Sequence, residues 1–190
     1  MPPEPASDDR TARSRDGDLG RIVHWLAGAI DRLAEHAATA DLAALRRLDP
    51  DRPRAGAFFR LMALAPSDPL AGAGDRFARW GLVVWMLAQT PGRRADRPLG
   101  AALAEADFSE VRMNRLLAAR GDGFRAQLRR AVRFLAQRSG GVPYRELGEL
   151  ILCEGHRETR AERLRLRIAR DYWRSEGARE TDRTEATQAG

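Results

Sequence analysis

The stretch FRAQLRRAVRFLAQ, residues 124–137, is the most informative segment of this chain. Its apolar residues recur at the spacing of an α-helix and therefore share one face. They are Phe124, Leu128, Ala131, Val132 and Leu135. The other face carries Arg125, Arg129, Arg130 and Arg133. The segment predicts an amphipathic helix with one buried side and one positively charged side.

The same helical spacing recurs along most of the chain. Residues 22–33 follow an i, i+3, i+4, i+7 pattern that predicts an amphipathic helix. The last predicted helix extends from residue 159 to about residue 175. No segment shows sustained alternation with β-branched residues, so we expect essentially no sheet. The fold class predicted is all-α, a compact bundle of eight or nine helices with disordered termini.

The chain ends differ in composition from the middle. A length of 190 residues fits one compact domain or two small lobes. Residues 1–18 are rich in Pro, Asp, Ser and Arg, and residues 178–190 have the same polar character. Such segments bury too little apolar surface to offset the entropy of ordering. We therefore expect disordered tails at 1–18 and 178–190 around an all-helical domain at 19–177.

Hydrophobic segments and cysteine usage exclude several classes of protein. The longest uninterrupted apolar run, residues 82–88, has seven residues, whereas a membrane-spanning helix needs about 20. The first ten residues carry prolines and acids where a signal peptide has a basic and then an apolar region. One cysteine, Cys153, leaves no internal disulfide and no CxxC pair. We expect a cytoplasmic protein that makes no membrane contact.

Positive charge is concentrated in the second half of the chain. All 33 basic residues are arginine, against 27 acids, for a net charge of +6. Residues 112–138 hold eight arginines and one acid, Asp122, a local charge of +7. Residues 157–174 hold seven arginines and three acids, a local charge of +4. Guanidinium groups suit phosphates, so a nucleic-acid backbone is the predicted ligand; a solvated face in an arginine-rich protein is the alternative.

No motif for catalysis or metal binding is present. The three histidines fall outside any metal-ligand spacing, and no phosphate-binding glycine loop follows the usual pattern. We expect no enzymatic activity, no cofactor and no metal.

One region mimics a helix-turn-helix: it consists of residues 147–153, a turn at 154–156 and the arginine-rich helix after that turn. A transcriptional regulator and a helical protein–protein adaptor are therefore the alternative functions.

A set of short landmarks, in a fixed order, covers most of the helical region. They are Ala44-Leu45-Arg46-Arg47, Phe58-Phe59-Arg60-Leu61, Leu99-Gly100, Glu110 with Arg112 ahead of Arg115-Leu116-Leu117, Gln127-Leu128-Arg129-Arg130, Pro143-Tyr144 and Ala169-Arg170-Asp171-Tyr172-Trp173. This ordered set resembles the small subunit of the type I-E CRISPR complex Cascade, the CasB family. The resemblance implies an all-helical, non-catalytic scaffold subunit that acts in antiviral defence.

The resemblance also implies partners and binding residues. Two copies of such a subunit lie along the complex with the other Cascade subunits, and they hold guide RNA, target DNA and the displaced strand by their phosphate backbones. Matching motifs transfer that binding role to Arg46, Arg47, Arg112, Arg129 and Arg130. The same role extends to Arg115 and Arg133.

Overall fold

A computed structural model describes residues 6–36, 38–71, 75–138 and 141–188 of the chain. Within these ranges the chain forms nine α-helices and no strand. They are α1 Ala6–Glu35, α2 Thr39–Arg46, α3 Gly56–Ala63, α4 Arg76–Gln89, α5 Leu99–Glu105, α6 Glu110–Ala118, α7 Gly121–Arg138, α8 Tyr144–Cys153 and α9 Glu158–Gln188. The all-α fold class is confirmed. One isolated parallel bridge joins Arg94 to Val142.

The chain divides into two compact units, Met1–Trp85 and Met86–Gly190. In the N-terminal unit, α1 packs on α2 and α2 packs on α3. Leu26, Leu45 and Phe58, one from each helix, are fully buried. Phe59, which follows Phe58, is 45% exposed and packs its ring against Phe58 and Phe77. Neighbouring residues of a helix point about 100° apart, so both rings cannot face the core.

The C-terminal unit is organised around the contact between α5 and α9. A Cβ atom added to Gly100 of α5 would lie 2.1 Å from the carbonyl oxygen of Ile168 and 2.5 Å from the amide nitrogen of Tyr172. Only glycine therefore allows the two backbones to approach this closely. The hydroxyl of Tyr172 donates to the carbonyl oxygen of Phe108 at 2.5 Å, which ties α9 to the chain between α5 and α6.

Side chains from distant parts of the sequence stabilise both ends of α5. Glu146 of α8 accepts a hydrogen bond from the Leu99 amide at 2.6 Å, at the helix N-terminus, where a negative charge is favourable. At the other end, Arg179 donates to the Ala104 carbonyl oxygen and to Asp107. The hydrogen bond to Asp107 raises the pKa of Arg179. Arg179 lies in the part of α9 that continues beyond residue 175, the end that the sequence predicts.

Both terminal helices enter segments whose composition predicts disorder. Helix α1 begins at Ala6 and α9 ends at Gln188. Residues 1–5 and 189–190 of the predicted tails lie outside the described residues. The tails and the domain bounds at 19–177 stay predictions.

Candidate nucleic-acid interface

Five of the seven predicted binding arginines lie on two consecutive helices of the C-terminal unit. Arg112 and Arg115 belong to α6, and Arg129, Arg130 and Arg133 belong to α7. The two helices pack on each other. The predicted core face of α7 is confirmed, since all five of its apolar residues are at most 1% exposed. The buried face therefore fixes which side of α7 is left for a ligand.

The exposed side of α7 differs in detail from the prediction. Arg130 and Arg133 are exposed, whereas Arg125 and Arg129 are half-buried. At 100° per residue, Arg125 and Arg129 flank the apolar stripe instead of opposing it. Arg125 also lies 3.9 Å from Asp122. Positive charge on α7 is thus most accessible at Arg130, Arg133 and Arg138.

Several of these arginines have no carboxylate partner in the part of the chain that the structure describes. Arg112, Arg115 and Arg130 are exposed, and none of the three pairs with a carboxylate among the residues that the structure describes. Like charges on one surface repel each other and cost stability. A polyanion that supplies the counter-charge would remove that cost.

The second basic segment, on α9, has a different environment. Arg160 pairs with Glu149 at 2.5 Å, and Arg167 pairs with Glu146 at 2.8 Å, so both reach carboxylates of α8. Arg170 lies 3.3 Å from Asp171. Arginines that pair with carboxylates of the same chain are less available to phosphates. The α9 segment is therefore a weaker candidate for the interface than α6 and α7.

Arg165 of α9 is buried and forms ion pairs inside the protein. Its side chain is 4% exposed and contacts Glu154, Glu158 at 2.9 Å and Glu162 at 2.6 Å. Burial, together with the nearby charge of Arg120, lowers the pKa of Arg165 to about 10, so the group stays protonated at neutral pH.

The same cluster anchors the beginning of α7. Glu154 accepts a hydrogen bond from the Gly121 amide at 3.0 Å, while Arg120 pairs with Glu158 at 3.4 Å. Gly121 has a φ of +52°, a conformation that L side chains rarely adopt. The start of α7, and with it the direction of its arginine face, is held against the α8–α9 turn.

An aromatic ring brings two arginines of the interface together. The Arg112 guanidinium carbon lies 5.5 Å from the Phe134 ring centroid, and that of Arg138 lies 5.0 Å from it. The ring packs edge-on against Phe108 at a centroid distance of 5.2 Å. Neither Phe134 nor Arg138 is among the site residues that the sequence predicts. Their i, i+4 spacing on α7 was the available signal, whereas the approach of Arg112 from α6 depends on tertiary packing.

The remaining two predicted residues belong to the N-terminal unit. Arg46 is the last residue of α2, and Arg47 is its C-cap. Both side chains are exposed. Cations at a helix C-terminus also interact favourably with the helix dipole, so their position has a structural role as well. The seven residues therefore form two groups, one in each unit.

Two further kinds of feature concern the described ranges: metal clusters and membrane spans. There, no group of three or more His, Cys, Asp and Glu residues could hold a metal ion. In those same ranges no helix is both long and apolar enough to cross a membrane.

Comparison with known proteins identifies the family. The model of the family described as CRISPR-associated protein Cse2 matches residues 41–173. No significant match was found among curated proteins or among solved structures. The matched region begins in α2, ends in α9 and contains all seven predicted arginines. Because this match spans more than half of an all-helical chain, the protein belongs to the CRISPR-associated protein Cse2 family, that of the small subunit of the type I-E Cascade complex.

Proposed function

We propose that this chain is a non-catalytic scaffold subunit that holds the nucleic acids of Cascade by their phosphate backbones. Its ligands are the guide RNA, the target DNA and the displaced strand, and its partners are the other Cascade subunits and a second copy of itself. The complex acts in the cytoplasm in antiviral defence. Membership of the Cse2 family supports the Cascade assignment.

The observation that carries the proposal is the contrast between two arginine-rich regions of the C-terminal unit. On α9, the guanidinium groups of Arg160 and Arg167 pair with glutamates of α8. On α6 and α7, Arg112, Arg115 and Arg130 are exposed and have no carboxylate partner within the described residues. Charges left unpaired by the fold are the ones that an external polyanion can neutralise.

Backbone contacts, as opposed to base contacts, fit the aromatic content of the chain. Aromatic residues make up 6% of the sequence; several of them, such as Trp80, Phe58 and Phe124, are buried in the cores, whereas Phe59 and Trp173 are exposed. Base recognition uses exposed aromatic platforms or a helix placed in a groove. Arginine contacts to phosphates carry no sequence information. We therefore expect binding that is independent of sequence.

The helix-turn-helix alternative receives less support. Helices α8 and α9 are joined by a short turn, but the arginines of the would-be recognition helix pair with Glu146 and Glu149 of its neighbour. A recognition helix uses such side chains to contact base edges and phosphates. The arrangement favours a structural role for this part of α9.

The test is a titration of labelled single and double strands of unrelated sequence at several salt concentrations. We expect similar affinities that fall steeply with salt. The double change R130A/R133A leaves the buried face of α7 unaltered and should weaken binding. It should reduce the slope of log affinity against log salt by about 0.7 to 0.9 for each lost phosphate contact.

A matched control removes two arginines from another exposed surface. Arg163 and Arg174 of α9 are both exposed, so R163A/R174A lowers the net charge equally and should change the slope less. Equal loss in the two double variants would mean that net charge alone drives binding. Preference for one palindromic duplex would indicate a regulator, and affinity insensitive to salt would contradict phosphate binding.

A further inference from the structure

We infer that Phe134 is a positioning residue that holds Arg112 of α6 and Arg138 of α7 as a pair of phosphate-binding groups. The inference rests on the proposed function and deepens it, because it assigns one anion site to two arginines through the ring between them. Neither Phe134 nor Arg138 is among the binding residues that the family motifs indicate.

The geometry places two cations around one ring. The guanidinium carbons of Arg112 and Arg138 lie 5.5 Å and 5.0 Å from the Phe134 centroid. Placed end to end, these distances put the two carbons at most about 10.5 Å apart. That upper limit is comparable to the Debye length of about 10 Å at 0.1 M salt, so both charges act on the same stretch of a bound strand.

The ring itself is held in place. Phe134 is half-buried and its ring packs edge-on against buried Phe108, with centroids 5.2 Å apart and planes at 66°. Phe108 lies two residues before α6, and its carbonyl oxygen accepts the hydrogen bond from Tyr172 of α9. The Phe134 ring that both arginines contact is therefore held in place by its packing on buried Phe108.

The physical argument concerns two like charges on flexible side chains. Arginine side chains have high rotamer entropy, and two guanidinium groups repel each other. The negative face of a phenyl ring attracts each of them, and at exposed sites one such contact is equivalent to about a 2- to 5-fold change in an equilibrium constant. Phe134 thus reduces the cost of holding Arg112 and Arg138 together before a strand arrives.

The arginines remain available for a ligand in this arrangement. Both are exposed, and neither pairs with a carboxylate among the described residues. A guanidinium group that lies over a ring keeps its N–H donors at its edge, where they can bond phosphate oxygens. The ring and the phosphate therefore use different parts of the same group.

The experiment measures binding of a labelled single strand of mixed sequence, longer than the roughly 4 to 16 nucleotides that one site contacts, across a salt series. We expect F134L to weaken binding by roughly 5- to 30-fold, the combined effect of two ring contacts. F134Y keeps the ring and should bind nearly as well as the wild type. The control F59L changes an exposed phenylalanine that packs on Phe58 and Phe77 and should leave affinity unchanged.

A second measurement separates positioning from a purely structural role. Phenylalanine analogues with increasing numbers of ring fluorines at position 134 keep the shape of the ring but deplete its negative face. Affinity should fall stepwise along this series while the circular dichroism spectrum of the folded chain stays unchanged. The series also replaces F134L if that variant does not fold.

The outcomes distinguish this inference from the proposed function. Suppose that the wild type binds and R112A/R138A binds weakly, but every member of the fluorinated series binds as well as the wild type. The two arginines then act without the ring, and the inference is wrong. In a double-mutant cycle, R112A should cost less affinity in the F134L background than in the wild type, and equal costs would also overturn it. A wild-type chain that binds no strand at low salt overturns the proposed function and this inference together.

Discussion

The change Gly100→Ala tests the close contact between α5 and α9 on which the C-terminal unit is built. The added Cβ would lie 2.1 Å from the Ile168 carbonyl oxygen, whereas ordinary contact begins near 3.4 Å. The two helices would have to separate by the difference, about 1.3 Å. Both nearest atoms belong to the α9 backbone, so no side-chain rotation can relieve the overlap.

The expected magnitude follows from two opposing effects. Alanine is favoured over glycine in a helix interior by about 1 kcal/mol. Overpacking of a dense core costs about 1 to 3 kcal/mol, and more where backbone must move. Separation of the helices would also loosen the packing of Leu99 and Leu103, which are fully buried. Because the overlap is with backbone atoms, we expect the overpacking cost at or above the upper end of that range, and a net destabilisation of about 2 kcal/mol or more.

The assay is urea unfolding followed by circular dichroism, with Gly177→Ala as the matched control. Gly177 lies in α9 and a Cβ there would meet nothing within 4 Å. That change should stabilise the protein by about 0.4 to 1 kcal/mol. The two glycine-to-alanine changes are therefore expected to have opposite signs. If Gly100→Ala stabilises the protein as Gly177→Ala does, the close approach of α5 and α9 is wrong.

Two further predictions concern the core and its pH dependence. Leu128→Ala removes a fully buried side chain of α7 and should destabilise the fold by roughly 2 to 5 kcal/mol; binding measured below its melting temperature should be unchanged, and lost binding in a folded variant would contradict the assigned core face. Burial raises the pKa of Tyr172 to about 12 from an ordinary value of 10.0. Folding therefore favours the neutral phenol, and its stabilising contribution is complete below pH 10 and lost as the pH rises toward 12. The free energy of unfolding of Y172F should fall less steeply than that of the wild type between pH 10 and pH 12. A parallel fall in the two proteins would show that Tyr172 ionisation is not the cause.

Local periodicity in the sequence was sufficient to predict the helical class and the buried face of α7. The spacing of Phe124, Leu128 and Leu135 depends only on the geometry of a single helix, so it can be read without knowing what the helix packs against. The ordered landmarks likewise predicted the family that the match to residues 41–173 identifies. The binding roles of the seven arginines stay predictions.

Charge counting along the chain could not separate the two basic segments. Arg160 and Arg167 are neutralised by Glu149 and Glu146, residues 11 and 21 positions away on another helix. Whether a charge is paired depends on which helices become neighbours, and local composition carries no information about that.

Tertiary structure also decided where α9 ends and which arginines contact the Phe134 ring. Arg179 reaches Asp107 across 72 positions of sequence, and this contact accompanies a helix that continues where composition alone predicts a tail. Arg112 reaches Phe134 only because α6 packs on α7. The sequence determined the helical class and the apolar stripe of α7 because those depend on neighbours within two turns. The accessible charge and the Gly100 contact depended on long-range packing, because only the assembled helices bring those groups together.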